Sequence, residues 1–255
     1  MHRGTIALMA LVLCAACAAQ AADVSQPSAT AAQTPRILLL DSHLLVIDKP
    51  AGMLSQSDIT GDLCALNWGK AMLKERFDKP GNVFLGLVQR LDRPTSGAMV
   101  FARTSKAAAR LSAAIRERRV EKVYLALCSA RPAVDEGLLE DWLLPGRDGA
   151  DTRRCAANTP GAQQAALRWR VVAQGDEGVL CEVALLTGRK HQIRAQFAAQ
   201  GAAIVGDGRY GGRGPFPAGA IALHAHRLAF PHPIGGERVE VEVPLPSTFP
   251  LWARR

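Results

Sequence analysis

From Arg36 onward the chain is a series of short apolar runs, each soon closed by turn residues, and this pattern limits its folds more than any other feature. RILLLDSHLLVIDKPAG (36–52) holds two such runs around Asp41-Ser42-His43 and ends on Lys49-Pro50-Ala51-Gly52, the pattern of a hairpin with a rigid end. VFLGLV, AMVFAR, ALRWRVVAQ, VLCEVALLTG, IALHAHRLAF and ERVEVEVPLP continue the series, and residues 132–165, rich in Gly, Asp and Ala, read as a hairpin with long loops. Helical spacing is confined to three places. Leu63 to Phe77 is stopped by Pro80-Gly81, a segment running to Arg119 is capped by Thr104-Ser105, and GRKHQIRAQFAAQG opens on a basic cluster. Strands joined by hairpins with few helices between them predict an α+β fold rather than a regular βαβ winding. At 255 residues, 48% hydrophobic and 21% charged, the chain has material for one large core.

The N-terminus has a different character. Basic Arg3, an apolar stretch from Ile6 to Ala19 and the small-residue pattern Ala19-Gln20-Ala21 fit a secretory signal peptide, followed by VSQPSATAAQTP as a linker. The expected division is a leader and linker over 1–35 and a catalytic domain over 36–255. A translation start further downstream is the alternative. The apolar stretch is short for a membrane span.

Other residue patterns bound the chemistry. Cys64, Cys128, Cys155 and Cys181 follow no zinc-ligand or disulfide spacing and fit reduced thiols. GDGRYGGRG (206–214) lacks the lysine and hydroxyl of a P-loop, so Gly206-Asp207 and Gly211-Gly212 read as turn residues. His224, His226 and His232 offer no convincing third ligand nearby and read as structural. In VEKVYLALCSA, period two sets Val123, Leu125 and Leu127 on one face and Lys122, Tyr124 and Ala126 on a less apolar one, where Tyr124 is either half-buried core or the lining of a site.

Charge points to a polyanion. The chain carries +8, and between Arg90 and Lys122 nine basic residues (Arg90, Arg93, Arg103, Lys106, Arg110, Arg116, Arg118, Arg119, Lys122) face three acids (Asp92, Glu117, Glu121). The run is a binding groove or a solvated face. It starts at LVQRLDRPTSG, where Asp92 stands between two arginines as an apolar run breaks. By its residues alone Asp92 is either a loop acid paired with its neighbours or a reacting carboxylate.

QRLDRPTSGAMVFART resembles the signature of the RluA-type RNA pseudouridine synthases, in which His-Arg-Leu-Asp and two variable residues precede Thr-Ser-Gly. EKVYLAL, TGRKHQIRAQFAAQGAAIVGD with RYGG, and ALHAHRLAFPHP follow in the family's order, so the resemblance runs from Arg36 to the C-terminus. It implies a pseudouridine synthase fold: a mixed, mainly antiparallel central sheet with flanking helices and an active-site cleft. It also implies isomerisation of uridine in RNA, with no cofactor and no metal.

By the same resemblance Asp92 is the essential carboxylate, Arg194 its ion-pair partner, and Tyr124 the aromatic that stacks on uracil. Arg90 takes the vacated place in the RNA stack and Leu223 forms an apolar wall. Lys122 is a further substrate-binding candidate, Lys190 and His191 either touch phosphate as substrate-binding residues or simply face solvent, and Lys49 and Pro50 are cleft architecture. The flanking arginines are expected to keep Asp92 ionised. Gln89 departs from the family's histidine and cannot titrate, and no S4-type RNA-binding domain is expected ahead of Arg36. The partner expected is a stem-loop of ribosomal or transfer RNA, bound by a cytoplasmic monomer whose folded domain engages no membrane. Two other readings are a catalytically silent RNA-binding protein of this fold and an exported hydrolase. The hydrolase needs a second carboxylate near Asp92.

Overall fold

The computed structural model describes residues 34–146 and 151–254. The leader expected over 1–35 lies, up to residue 33, outside the described residues. Strands β1 (Arg36–Leu40) and β2 (Leu44–Lys49) form the expected antiparallel hairpin. Its turn closes because Asp41 Oδ1 accepts the His43 and Leu44 amides at 2.6 and 2.7 Å. Helix α1 (Ala65–Arg76) begins where the Cys64 thiol accepts the Asn67 amide. After β3 (Gly86–Leu87) and β4 (Ser96–Ala102), Thr104 caps α2 (Ser105–Arg116) by accepting the Ala107 amide at 3.1 Å.

The remaining elements are β5 (Glu121–Cys128), β6 (Glu136–Leu144), β7 (Arg153–Cys155), β8 (Gln163–Gly175), β9 (Gly178–Leu185), helix α3 (Gln192–Ala199), β10 (Leu223–Pro231) and β11 (Arg238–Glu242). The strands make one sheet in the order β1-β2-β4-β10-β5-β9-β8-β6-β7, with β3 also paired to β4 and β11 to β10. Among the strand pairings of the described residues only β4–β10 is parallel, so the α+β expectation holds.

Two layers cover the sheet. Along β2 the side chains alternate: Leu45 and Ile47 join Met99, Phe101 and the α1 residue Leu73 in one core, while Leu44 and Val46 join Val100 and the α2 residues Leu111 and Ala114 in another. Each fully buried Leu or Ile contributes roughly 1.5–3 kcal/mol. Helix α3 seals the far half, with Phe197 edge-on to Trp169 of β8 at a ring distance of 5.7 Å. The two-faced reading of β5 is corrected. Its supposedly less apolar face is also covered, with Tyr124 8% and Ala126 0% exposed, because β5 is a central strand between β10 and β9.

The β4–β10 junction positions everything that follows. Gly97 has φ +112°, and a Cβ there would lie 2.3 Å from the Ala225 carbonyl oxygen, so only glycine lets the two backbones meet. This junction sets the loop before β4, which carries Asp92, against the start of β10, which carries Leu223.

Candidate active site

The Asp92 loop is held from one side by the residues that end β2. Ser55 Oγ donates to the Leu91 carbonyl at 2.6 Å and accepts the Leu91 amide at 3.1 Å. The Gly52 amide donates to the Arg93 carbonyl at 2.8 Å, and the Thr95 amide closes a turn on the Asp92 carbonyl at 3.0 Å. Lys49 is fully buried, and its ammonium donates to the carbonyls of Pro50, Met53 and Arg93 at 2.9, 2.8 and 3.3 Å. Three donors thus meet three acceptors. Burial draws the Lys49 pKa down to about 7 against the opposing pull of Asp92. Its architectural reading takes a specific form, since one buried cation ties the end of β2 to the Asp92 loop.

From the other side comes α3. Arg194, 3% exposed, donates through Nη1 to Asp92 Oδ2 at 3.2 Å. Its Nε and Nη2 are taken by Asp207, which is 1% exposed and accepts at 2.7 and 2.9 Å. Burial opposes the Arg194 charge, but the bonds to Asp207, with Asp92 adding to them, leave its pKa raised. The Tyr210 ring lies 4.9 Å from the guanidinium carbon. The Tyr210 hydroxyl meets His191 Nδ1 at 2.8 Å and accepts the Thr152 amide at 2.9 Å. His191 Nε2 comes to 3.9 Å from Asp92 Oδ2, and burial lowers its pKa.

Asp92 opens onto a cleft of about 690 Å³, whose lining includes Gln89, Arg90, Lys122, Tyr124, His191 and Leu223. Tyr124 and Leu223 are diagonal neighbours on β5 and β10 and make its buried wall. Burial, reinforced by the Asp92 charge, pushes the Tyr124 phenol up, so its hydroxyl stays protonated. Around the mouth stand Arg90, Arg116, Arg118, Arg189 and Arg227. The site is therefore a negative charge on an apolar floor inside a cationic rim, suited to an uncharged ring carried on a polyanionic chain.

Comparison with known proteins decides the family. Residues 43–199 match the family model described as RNA pseudouridylate synthase. An uncharacterized RNA pseudouridine synthase of Zymomonas mobilis is 33% identical over 215 residues, 84% of this chain and 95% of that one. The chain belongs to the RNA pseudouridylate synthase family. Ribosomal large subunit pseudouridine synthase D of Pseudomonas aeruginosa is 35% identical over 230 residues, covering 85% of this chain and 69% of the relative. In fold, human RNA pseudouridylate synthase domain containing 4 superposes with a TM-score of 0.69 at 24% identity, over 83% of this chain and 89% of that one. Family membership makes this an isomerase of RNA uridine, with RNA as its substrate.

Against that identity, the residues expected in the synthase site can be located. Asp92, Tyr124, Arg90, Leu223, Lys122 and His191 all line the one cleft, and Arg194 lies directly behind Asp92. Lys190 is not among the lining residues; its ammonium donates to the Gly146 carbonyl at 3.4 Å.

Two expectations are corrected. Neither flanking arginine contacts the Asp92 carboxylate: Arg93 turns away to Asp62 at 2.7 Å and to the Gly52 carbonyl at 3.0 Å, and Arg90 is exposed at the rim. The countercharge comes instead from Arg194 of α3. Asp207 is no mere turn residue, since it binds two of the Arg194 nitrogens. Its signal was the family's own order, a GD pair following HQIR, and the need of a buried guanidinium for a full set of acceptors.

The basic run divides in the same way. Arg103 donates to the Asp41 carbonyl, Arg110 to that of Pro233 at 2.6 Å, and Arg119 pairs with Glu117 at 2.6 Å, whereas Arg90, Arg116, Arg118 and Lys122 line the cleft. The three histidines have structural partners. His224 lies between Ser96 Oγ and the Val243 carbonyl, His226 between that carbonyl and Glu242, and His232 beside Asp41. Among the described residues no helix is long and apolar enough to cross a membrane.

Proposed function

We propose that the protein isomerises specific uridines to pseudouridine in stem-loops of ribosomal or transfer RNA, working in the cytoplasm as a monomer, with Asp92 as the catalytic carboxylate. One observation carries the assignment. Of the two carboxylates lining the cleft, Glu121 is bound through both oxygens by Arg238 at 2.8 and 3.0 Å, whereas the contacts of Asp92 with Arg194 and His191 all use Oδ2. Oδ1 of Asp92 is thus left for the substrate.

The reaction breaks the bond from N1 of uracil to C1′ of ribose and forms one from C5 to C1′. Asp92 serves as the nucleophile at C1′ or as the base that removes the C2′ proton, and both roles use its ionised form. Arg194 holds Asp92 in place because a guanidinium keeps its charge and Asp207 fixes its plane. The uracil must leave the RNA stack to reach Asp92, at a cost of a few kcal/mol. Tyr124 and Leu223 receive the freed ring, and Arg90, exposed on the rim and without a protein partner among the described residues, takes its place in the stack. The chemistry requires no metal or cofactor.

Isomerisation exchanges the hydrogen at C5, so RNA tritiated there reports turnover. The wild type is expected to release tritium from RNA of a strain lacking the gene. Asp92→Asn is expected to release none while binding that RNA within about 3-fold of wild type, a loss of well under 1 kcal/mol. Equal release by both proteins would refute the role of Asp92.

A further inference from the structure

Lys122 begins the face of β5 that Tyr124 continues, two residues earlier and so one strand repeat, about 7 Å, along the cleft wall. It is half-buried and lines the cleft, and its ammonium has no hydrogen bond or ion pair with any described residue. Every neighbouring anion is committed elsewhere: Glu121 to Arg238, and Asp92 to Arg194. Burial alone acts on the Lys122 ammonium, lowering its pKa with no anion to oppose it. A cation partly withdrawn from water without a countercharge is costly in the free protein.

Gly188 explains why that ammonium stays open to the cleft. Its φ lies outside the left-handed region, so the backbone does not demand glycine there. In the space there, a Cβ at 188 would lie 3.0 Å from Lys122 Nζ, so a side chain would crowd the ammonium and push it aside by a few tenths of an ångström. Gly188 and the exposed Arg189 line the same cleft as Arg116, the last residue of α2, and Arg118 just after it.

We propose that Lys122, uncovered by Gly188, is the subsite for an RNA backbone phosphate next to the flipped uridine, supplying the countercharge that the protein itself withholds. The inference rests on the pseudouridine synthase reading and adds one thing to it. The contact at Lys122 is with a phosphate, so it affects binding of every RNA sequence rather than the choice of base.

The test uses the full chain and ribosomal RNA from a strain lacking the gene. RNA affinity is measured as a function of salt, and tritium release gives KM and kcat. Lys122→Met keeps the aliphatic stem and removes the charge. It is expected to weaken binding about 5-fold and to flatten the log-log salt slope by about 0.7 to 0.9, the value of one phosphate contact. The loss should fall on KM, and Lys122→Arg should restore the slope. Gly188→Ala, which removes no charge and strains no backbone, should weaken binding in the same direction by displacing the ammonium. It should add nothing to Lys122→Met. An unchanged slope in Lys122→Met, or a loss confined to kcat, would overturn the subsite. If the wild type released no tritium at all, the pseudouridine synthase reading would itself fall, and the subsite with it.

Discussion

Arg194 meets Asp207 through two hydrogen bonds of 2.7 and 2.9 Å with both side chains almost wholly buried, and this leaves a single nitrogen, Nη1, to reach Asp92 at 3.2 Å. The carboxylate proposed as catalytic is therefore aligned by a cation that is itself fixed from behind. Asp207→Asn keeps the shape and removes that anchor. Breaking a buried pair of this kind costs about 3 kcal/mol. The variant is expected to lose that much stability in urea denaturation and at least 10-fold in tritium release, with RNA affinity much less affected. Unchanged stability and rate would show that Arg194 needs no anchor.

His224 gives a pH dependence with a definite sign. The Val243 carbonyl can only accept, so His224 Nε2 carries the proton and Nδ1 accepts from the Ser96 hydroxyl. Burial favours this neutral ring and draws its pKa from 6.5 down to about 4. The folded protein then binds fewer protons than the unfolded chain between those values. The stability contribution is complete above pH 6.5 and is lost as pH falls toward 4, in total about 3 kcal/mol. Urea denaturation of His224→Gln should lack this part of the acid destabilisation. Parallel pH profiles for variant and wild type would contradict the assignment.

The residues that were readable in the sequence share one property: their signal is local. The β1–β2 hairpin, the Thr104 cap and the strand runs depend on neighbouring residues, and they formed where expected. Asp92, Tyr124 and Arg194 were marked by motifs whose family order was intact. What escaped was pairing between segments. Arg90 and Arg93 sit beside Asp92 in the chain, yet its cation comes from α3, 102 positions away. The buried bonds of Lys49 depend on how the loop after β2 packs against the Asp92 loop. Period two marked the faces of β5 but not the layers that cover both of them.

The division of the basic run predicts which charges bind RNA. Arg116 and Arg118 stand on the cleft rim without protein partners among the described residues, whereas Arg110 and Arg119 are engaged within the fold. Arg116→Ala and Arg118→Ala should each weaken RNA binding and reduce the salt slope by up to about one. Arg119→Ala should change neither by more than experimental error. A wild-type affinity that does not respond to salt would make the whole run a solvated face.

The central claim, that Asp92 performs uridine isomerisation, is tested most directly by carbodiimide mapping of pseudouridine in total RNA from cells lacking the gene. The cells are complemented with the wild type or with Asp92→Asn. At least one site is expected to disappear on deletion, to return with the wild-type gene, and to stay absent with Asp92→Asn. A site restored equally by both genes would contradict it.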